Sequence, residues 1–332
     1  MTGDASLAQL PVLPAWLLPA WQKLTWALTA GRAGQGLLLH GPRGIGKAWL
    51  AWHYAARLLC RDAQGEQFAC GRCAGCALRL AGHHPDLLTV GIPDDKQSIG
   101  IEQVRELSVQ LQQSAHRAGW RAVVIEPAEG MTIAAANALL KTLEEPGARI
   151  VLTLVAHQLE RVPATIRSRC QRLPLAAPDK GVALQWLATA HPGQPTSALE
   201  QALMLASGAP LRVAELLAQD ALGQVEALEK GLIAIARGEL SPVQVAAGQS
   251  DLNLALLQLQ RIAARGLQKS LNGDSKFPPA LWDRFVTTVL DALRALRSNP
   301  SLHGQTLLES VLIQWFDFTA GMRHSKSATA TR

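Results

Sequence analysis

A short apolar run, Gly36-Leu37-Leu38-Leu39-His40, leads directly into Gly41-Pro42-Arg43-Gly44-Ile45-Gly46-Lys47, and an apolar helical stretch follows from Lys47 to Leu59. Few features restrict a fold more. Strand, glycine-rich loop and helix in that order form the G-x-x-x-x-G-K arrangement, in which backbone N–H groups turn inward around phosphate oxygens. The helix N-terminus adds a favourable dipole for an anion. Two more β-branched runs, Ala122 to Ile125 and Ile150 to Val155, read as buried strands. Between them Thr132 to Glu145 has helical spacing, with Ile133, Ala136, Leu140 and Leu143 expected on the inward face and Pro146 as the stop. Strands alternating with helices predict a parallel sheet wrapped by helices.

The same loop carries a defect. Gly41, Gly44, Gly46 and Lys47 are the candidate phosphate-binding residues, yet Ala48 follows Lys47. A Ser or Thr hydroxyl is needed there to help hold Mg²⁺. The strand Val123-Val124-Ile125 ends in Glu126-Pro127. The expected metal-holding Asp is replaced by a longer carboxylate, and proline stands where a water-activating Glu belongs. Both lesions predict lost hydrolysis. They leave two readings open: a loop kept only as scaffold, or one that holds nucleotide without turnover.

Cys60, Cys70, Cys73 and Cys76 give C-x9-C-x2-C-x2-C just after the loop helix. Four thiolates with Gly71 and Gly75 among them can close a tetrahedral zinc shell, and with no open position the site is structural rather than catalytic. An iron–sulfur cluster is the rival, although the usual C-x3-C-P continuation is missing. His83-His84-Pro85-Asp86 reads as a turn rather than a further ligand, and Cys170 as a small packed residue.

The chain has 332 residues, which suggests two or three domains. Hydrophobic residues make up 48%, enough for a sizeable core, and the net charge is +6 without any long block of like charge. An electrostatic DNA-binding arm is not expected. The start lacks a basic segment, and Leu10 to Trp21 is broken by prolines, so no signal peptide or membrane span is expected and the expected compartment is the cytoplasm. Beyond Pro174 the β-branched runs disappear. Amphipathic helices are expected at Ala221 to Ala236, Leu252 to Ser270, Leu281 to Leu296 and Ser301 to Thr319, with a frayed polar tail from Ser325 to Arg332.

Two further stretches, read with the loop and the four cysteines, are more specific than any one feature. They are Ala135-Ala136-Asn137-Ala138-Leu139-Leu140-Lys141-Thr142-Leu143-Glu144-Glu145-Pro146 and Thr165-Ile166-Arg167-Ser168-Arg169-Cys170. Together they resemble the clamp-loader branch of the AAA+ superfamily, over about residues 20 to 172. The resemblance implies an α/β P-loop AAA+ domain (1–173) with a zinc-binding insert at about 60–76, a small helical lid domain (174–218), and an all-α C-terminal collar domain for oligomerisation (219–332).

It also implies a role. Clamp-loader subunits form a ring-like hetero-pentamer with ATP at the interfaces, and the arginine of Ser-Arg-Cys enters a neighbour's ATP site. Carried onto this chain, that arginine is Arg169, a catalytic group in trans. The implied partners are gamma/tau and delta subunits of the bacterial replicative DNA polymerase III, with primed DNA reached through the complex at replication forks and the sliding clamp as a further contact. The degenerate loop separates the chain from the hydrolysing gamma/tau paralogue. The chain is then a stator-like member of a DNA-directed DNA polymerase (nucleotidyltransferase) complex, not itself an ATPase. Sensor positions align to Ala156-His157 and, one residue late, to Arg212. Arg105, Arg117, Arg121 and Lys141 are candidate DNA-channel residues. The alternatives are an autonomous AAA+ ATPase of another assembly and a zinc-finger DNA-binding protein with a vestigial NTPase fold.

Overall fold

Five strands, among the described residues, lie in one all-parallel sheet of order β2-β3-β4-β1-β5. They are β1 (Gly36–His40), β2 (Leu87–Val90), β3 (Arg121–Ile125), β4 (Ile150–Ala156) and β5 (Gln171–Pro174). The computed structural model describes residues 10–65, 67–112, 119–275, 277–298 and 304–329. β3 and β4 are buried throughout, as central parallel strands covered on both faces must be. β2 and β5 stand at the edges, and β5 keeps only Leu173 buried.

Successive residues of a strand serve opposite faces. Leu38, Val123, Ile125, Leu152 and Leu154 pack with Val104, Leu107 and Leu111 of α4 (Ile101–Gln112) and with α5 (Ile133–Glu144). α2 (Lys47–Leu59) packs on β1, β3 and β4 and buries Leu50, Ala51, Tyr54, Ala55 and Leu58. α1 (Leu18–Thr29) lies against α2. The inward face of α5 differs from the expected one. Ala135, Ala136, Leu139 and Leu143 are buried, Leu140 is half-buried, and Ile133 is 78% exposed. Thr132 caps this helix, its hydroxyl accepting from the Ala135 N–H at 3.2 Å, so Ile133 is the first helical residue and sits in the solvent-facing first turn.

The chain divides into two units, residues 1–213 and 214–332. Of the stretch 174–218 expected as a lid, residues 174–213 fall in the first unit. They contain α7 (Lys180–Ala190) and α8 (Thr196–Leu205). Their attachment is specific: the Trp186 ring meets Trp16 edge-on at 5.6 Å, and the Leu211 N–H donates to the Gly44 carbonyl oxygen at 2.9 Å.

Among the described residues, every regular element of the second unit is a helix. Its longer helices run Ala221–Arg237, Leu252–Leu271, Pro279–Ser298 and Gly304–Thr329, with a short Pro242–Ala247 helix between the first two. The last runs into the segment expected to fray. Trp282, Phe285, Trp315 and Phe318 pack as an aromatic group in the core, and the Trp315 indole N–H donates to the Leu232 carbonyl at 3.0 Å. No helix among the described residues is long and apolar enough to cross a membrane.

Candidate functional site

The glycine-rich loop lies between the carboxyl end of β1 and the start of α2. β1 is flanked by β4 and β5 while β2 lies at the far edge, so the loop sits where the strand order reverses, the usual ligand position in a parallel sheet. Gly44 and Gly46 have φ of 81° and 92°, which favours glycine, and a Cβ on Gly41 would strike the Leu175 carbonyl. The strand–loop–helix reading is therefore realised.

What fills the loop was not legible from the sequence. The Lys47 ammonium donates to the carbonyl oxygens of Gly41 at 2.8 Å and Pro42 at 2.5 Å. Lys47 is 2% exposed, and burial pushes its pKa down to about 8 against the pull of Glu126 and Glu129. The Trp16 indole N–H donates to the Ile45 carbonyl at 2.9 Å. Arg212, aligned to a sensor position, packs its side chain against Gly44. The loop is thus bonded to its own lysine, to Trp16 and to Leu211, and packed against Arg212.

The far wall is equally specialised. Burial raises the pKa of Glu126. Glu129 Oε1 accepts from the His157 N–H at 2.9 Å and the Gln158 N–H at 3.2 Å, which ties the end of β4 to the segment after β3. Burial, aided by the positive charges of Lys47 and Arg43, pushes the His157 pKa down to about 4. The imidazole is neutral near pH 7, and among the described residues its buried Nδ1 has no hydrogen-bond partner. With Ala48 at the magnesium position and Pro127 directly after Glu126, this wall lacks the hydroxyl ligand and the carboxylate next to Glu126; its second carboxylate, Glu129, is bonded to the His157 and Gln158 N–H groups.

The four expected cysteines converge. Their Sγ atoms all lie within 4.8 Å of one another, with Cys60–Cys73 and Cys70–Cys76 each at 3.9 Å. A tetrahedral zinc with Zn–S of about 2.3 Å has edges of about 3.8 Å, so the spacing fits a single ion. Backbone N–H groups of Cys70 and Cys73 point at Cys60 Sγ and Cys70 Sγ, each at 3.3 Å, which orients the sulfurs toward one another. The short helix α3 (Ala74–Leu80) starts inside this group. The insert is pinned to the first unit by Phe68, stacked on Trp21 at 4.5 Å, and by Arg57, which donates to the Gly65 carbonyl at 3.3 Å. Cys170 belongs instead to the core, where burial raises its thiol pKa to about 11. His84 is buried in a turn, its Nδ1 accepting from the Asp86 N–H at 3.1 Å.

Arg169 ends α6 (Ala164–Arg169) beside Gly36 at the start of β1, the end away from the glycine-rich loop, and its side chain is 37% exposed. Ile166 and Cys170 bury α6 in the core that also holds Leu143. Arg169 Nε donates to Glu144 Oε1 at 2.5 Å, and Nη1 donates to the Thr165 carbonyl at 3.2 Å.

The candidate DNA residues separate. Arg105 and Lys141 line one open groove between α4 and α5. Arg121 does not join them: it is buried, 3.5 Å from Asp86, and Nη1 donates to the Gln110 carbonyl at 2.8 Å. Its strand position at the start of fully buried β3 turns its charge inward, so the surface assignment is corrected. Arg117 lies outside the described residues.

The family described as DNA polymerase III, delta subunit, matches residues 18–179. The chain is 39% identical over 239 residues to the DNA polymerase III subunit delta' of Pseudomonas aeruginosa, covering 71% of this chain and 73% of that one. It is 40% identical over 222 residues to the Yersinia pestis protein of that name, covering 65% of each. Against the Escherichia coli protein of that name it is 40% identical over 195 residues, covering 59% of this chain and 58% of that one. With the loop, the cysteine group and the Ser168-Arg169-Cys170 turn in place, the chain belongs to the DNA polymerase III subunit delta' family.

Proposed function

We propose that this chain is the non-hydrolysing, stator-like subunit of the sliding-clamp loader of a bacterial DNA polymerase III. Its first unit is an AAA+ module whose own phosphate loop is retired. Its helical unit is the collar that joins it to gamma/tau and delta subunits in a hetero-pentamer. Zinc is held by Cys60, Cys70, Cys73 and Cys76 as a structural ion. Primed DNA is met through the assembled complex, in the cytoplasm at replication forks.

The observation that carries the reading is a contrast within one unit. Lys47 is buried and bonded to Gly41 and Pro42, while Arg169 stands on the surface. The cation of the chain's own site is withdrawn, and the cation suited to another site is presented.

In the neighbour's site, water attacks the γ-phosphorus of ATP and the bond to the β-phosphate oxygen breaks, giving ADP and phosphate. Arg169 forms no covalent bond. Its guanidinium offsets charge on the γ-phosphoryl oxygens in the transition state, a role worth about 10³–10⁵ in rate where arginine fingers have been measured. A planar fork with fixed donors suits that task better than a lysine.

The test is reconstitution. Purified gamma/tau and delta subunits are assayed for loading of the clamp onto primed DNA with and without this chain, and the chain alone is assayed for phosphate release. Loading that needs the chain, with no release by the chain itself, agrees with the reading. Loading indifferent to the chain refutes it.

A further inference from the structure

We infer that Glu144 is the positioning residue of Arg169: it holds the guanidinium by Nε so that the distal edge of the fork is presented outward, already ordered, to the phosphate groups of a neighbouring subunit's nucleotide. The inference rests on the finger reading of Arg169 and adds to it a second residue with its own test.

The pair is built by its buried neighbours. Leu143 precedes Glu144 and Cys170 follows Arg169; both are in the core cluster, at 6% and 8% exposure. Each anchor places the adjacent residue at the surface, one at the end of α5 and one at the end of α6. The two helices pack together, with Ile166 fully buried between them and the sheet. The spacing of the two side chains is therefore set by rigid elements rather than by a loop.

The bonding is directional. Glu144 Oε1 takes Nε at 2.5 Å, and the Thr165 carbonyl takes Nη1 at 3.2 Å. Nη1 also lies 3.5 Å from Ser168 Oγ. A guanidinium has five N–H donors in one plane. Fixing Nε and part of Nη1 fixes that plane and leaves donors on the outer edge for a phosphate. An exposed ion pair of this kind adds little to folding stability. Its consequence lies in geometry, because an arginine already held in place has less rotamer freedom left to lose when it docks. Displacing a catalytic group by about 1 Å can cost about 10²-fold in rate.

The experiment uses the reconstituted loader with intact gamma/tau and delta subunits, clamp, primed DNA and ATP, and compares Glu144→Ala, Glu144→Gln, Arg169→Ala and the double variant. Assembly is checked by size-exclusion chromatography. We expect Arg169→Ala to slow turnover at the site that receives it, and Glu144→Ala to slow it on the order of 10-fold. Glu144→Gln keeps an oxygen acceptor and should fall between Glu144→Ala and the unmodified chain. In the Arg169→Ala background, Glu144→Ala should have no further effect, which a merely structural role would not produce.

If Arg169→Ala slows turnover and Glu144→Ala does not, the positioning role is wrong and the finger reading stands. If Glu144→Ala speeds turnover, or adds its full effect to Arg169→Ala, the positioning role is also wrong. If Arg169→Ala changes nothing, both fall. Should Glu144→Ala fail to assemble, the Glu144→Gln series decides by the same criteria.

Discussion

The Lys47 ammonium lies 2.8 Å from the Gly41 carbonyl oxygen, so the lysine that would meet a nucleotide phosphate is bonded to its own loop. The Leu211 N–H and the Trp16 indole take two more carbonyls of the same loop. On the proposed reading, loss of hydrolysis therefore rests on several residues of the chain and not on Ala48 alone.

Restoring the missing hydroxyl should not restore the reaction. Ala48→Ser returns a magnesium ligand, but Pro127 still supplies no carboxylate and Lys47 remains committed. The isolated variant is expected to release phosphate from ATP no faster than the unmodified chain. Sustained turnover by Ala48→Ser, abolished in turn by Lys47→Ala, would show the loop to be one residue from activity.

The buried imidazole of His157 gives a pH dependence of known sign. Its folded pKa is about 4 against an ordinary 6.5, so between those values the unfolded chain binds more protons. Stability contributed by neutral His157 is complete above about pH 6.5 and is lost as pH falls toward 4. Glu126 acts oppositely: its raised pKa makes the folded state the better proton acceptor, a contribution that fades as pH rises through its folded pKa. The difference between the unmodified chain and His157→Asn isolates the first effect. Urea denaturation at several pH values should show the slope between pH 4 and 6.5 reduced in the variant; identical slopes would place His157 outside this balance.

The four cysteines should hold one zinc ion per chain and leave the protein colourless. Cys73→Ser is expected to lose the metal and raise hydrogen exchange across residues 60–80, whereas Cys170→Ser keeps both unchanged. Zinc in small modules contributes roughly 10–16 kcal/mol apparent, so its removal should unfold the insert and free Phe68 from Trp21. A brown protein with iron bound, or full zinc content in Cys73→Ser, would count against the assignment.

The helical unit has a narrow point at Gly266, where an added Cβ would meet the indole ring of Trp282. Gly266→Ala gains helix propensity, about 1 kcal/mol, yet overpacks a core that includes Phe285 and Trp315. We expect a net destabilisation of about 1–2 kcal/mol in denaturant titration. An equal or higher midpoint would mean that Trp282 moves aside freely.

Legibility in the sequence followed burial. β1, β4 and the helix Lys47–Leu59 were readable because central parallel strands and their covering helices are continuous apolar runs. β5 was not, since Gln171 and Arg172 at an edge need no apolar partner, and β2, though apolar at Leu87, Leu88 and Val90, is only 4 residues long. On α5 the small residues Ala135 and Ala136 approach the sheet while Ile133, the larger apolar residue, faces solvent; side-chain size misled where cap position decided. The cysteine group was legible from local spacing. Asp86 with Arg121, and Glu144 with Arg169, were not, because residues far apart in the chain meet only once the sheet has formed.

The central claim is that Arg169 acts in a site this chain does not own. The most direct measurement is DNA-stimulated ATP turnover by the reconstituted loader containing Arg169→Ala in this subunit, with assembly confirmed. The account predicts an intact complex in which hydrolysis at the adjoining site is lost. Unchanged turnover at that site would contradict it.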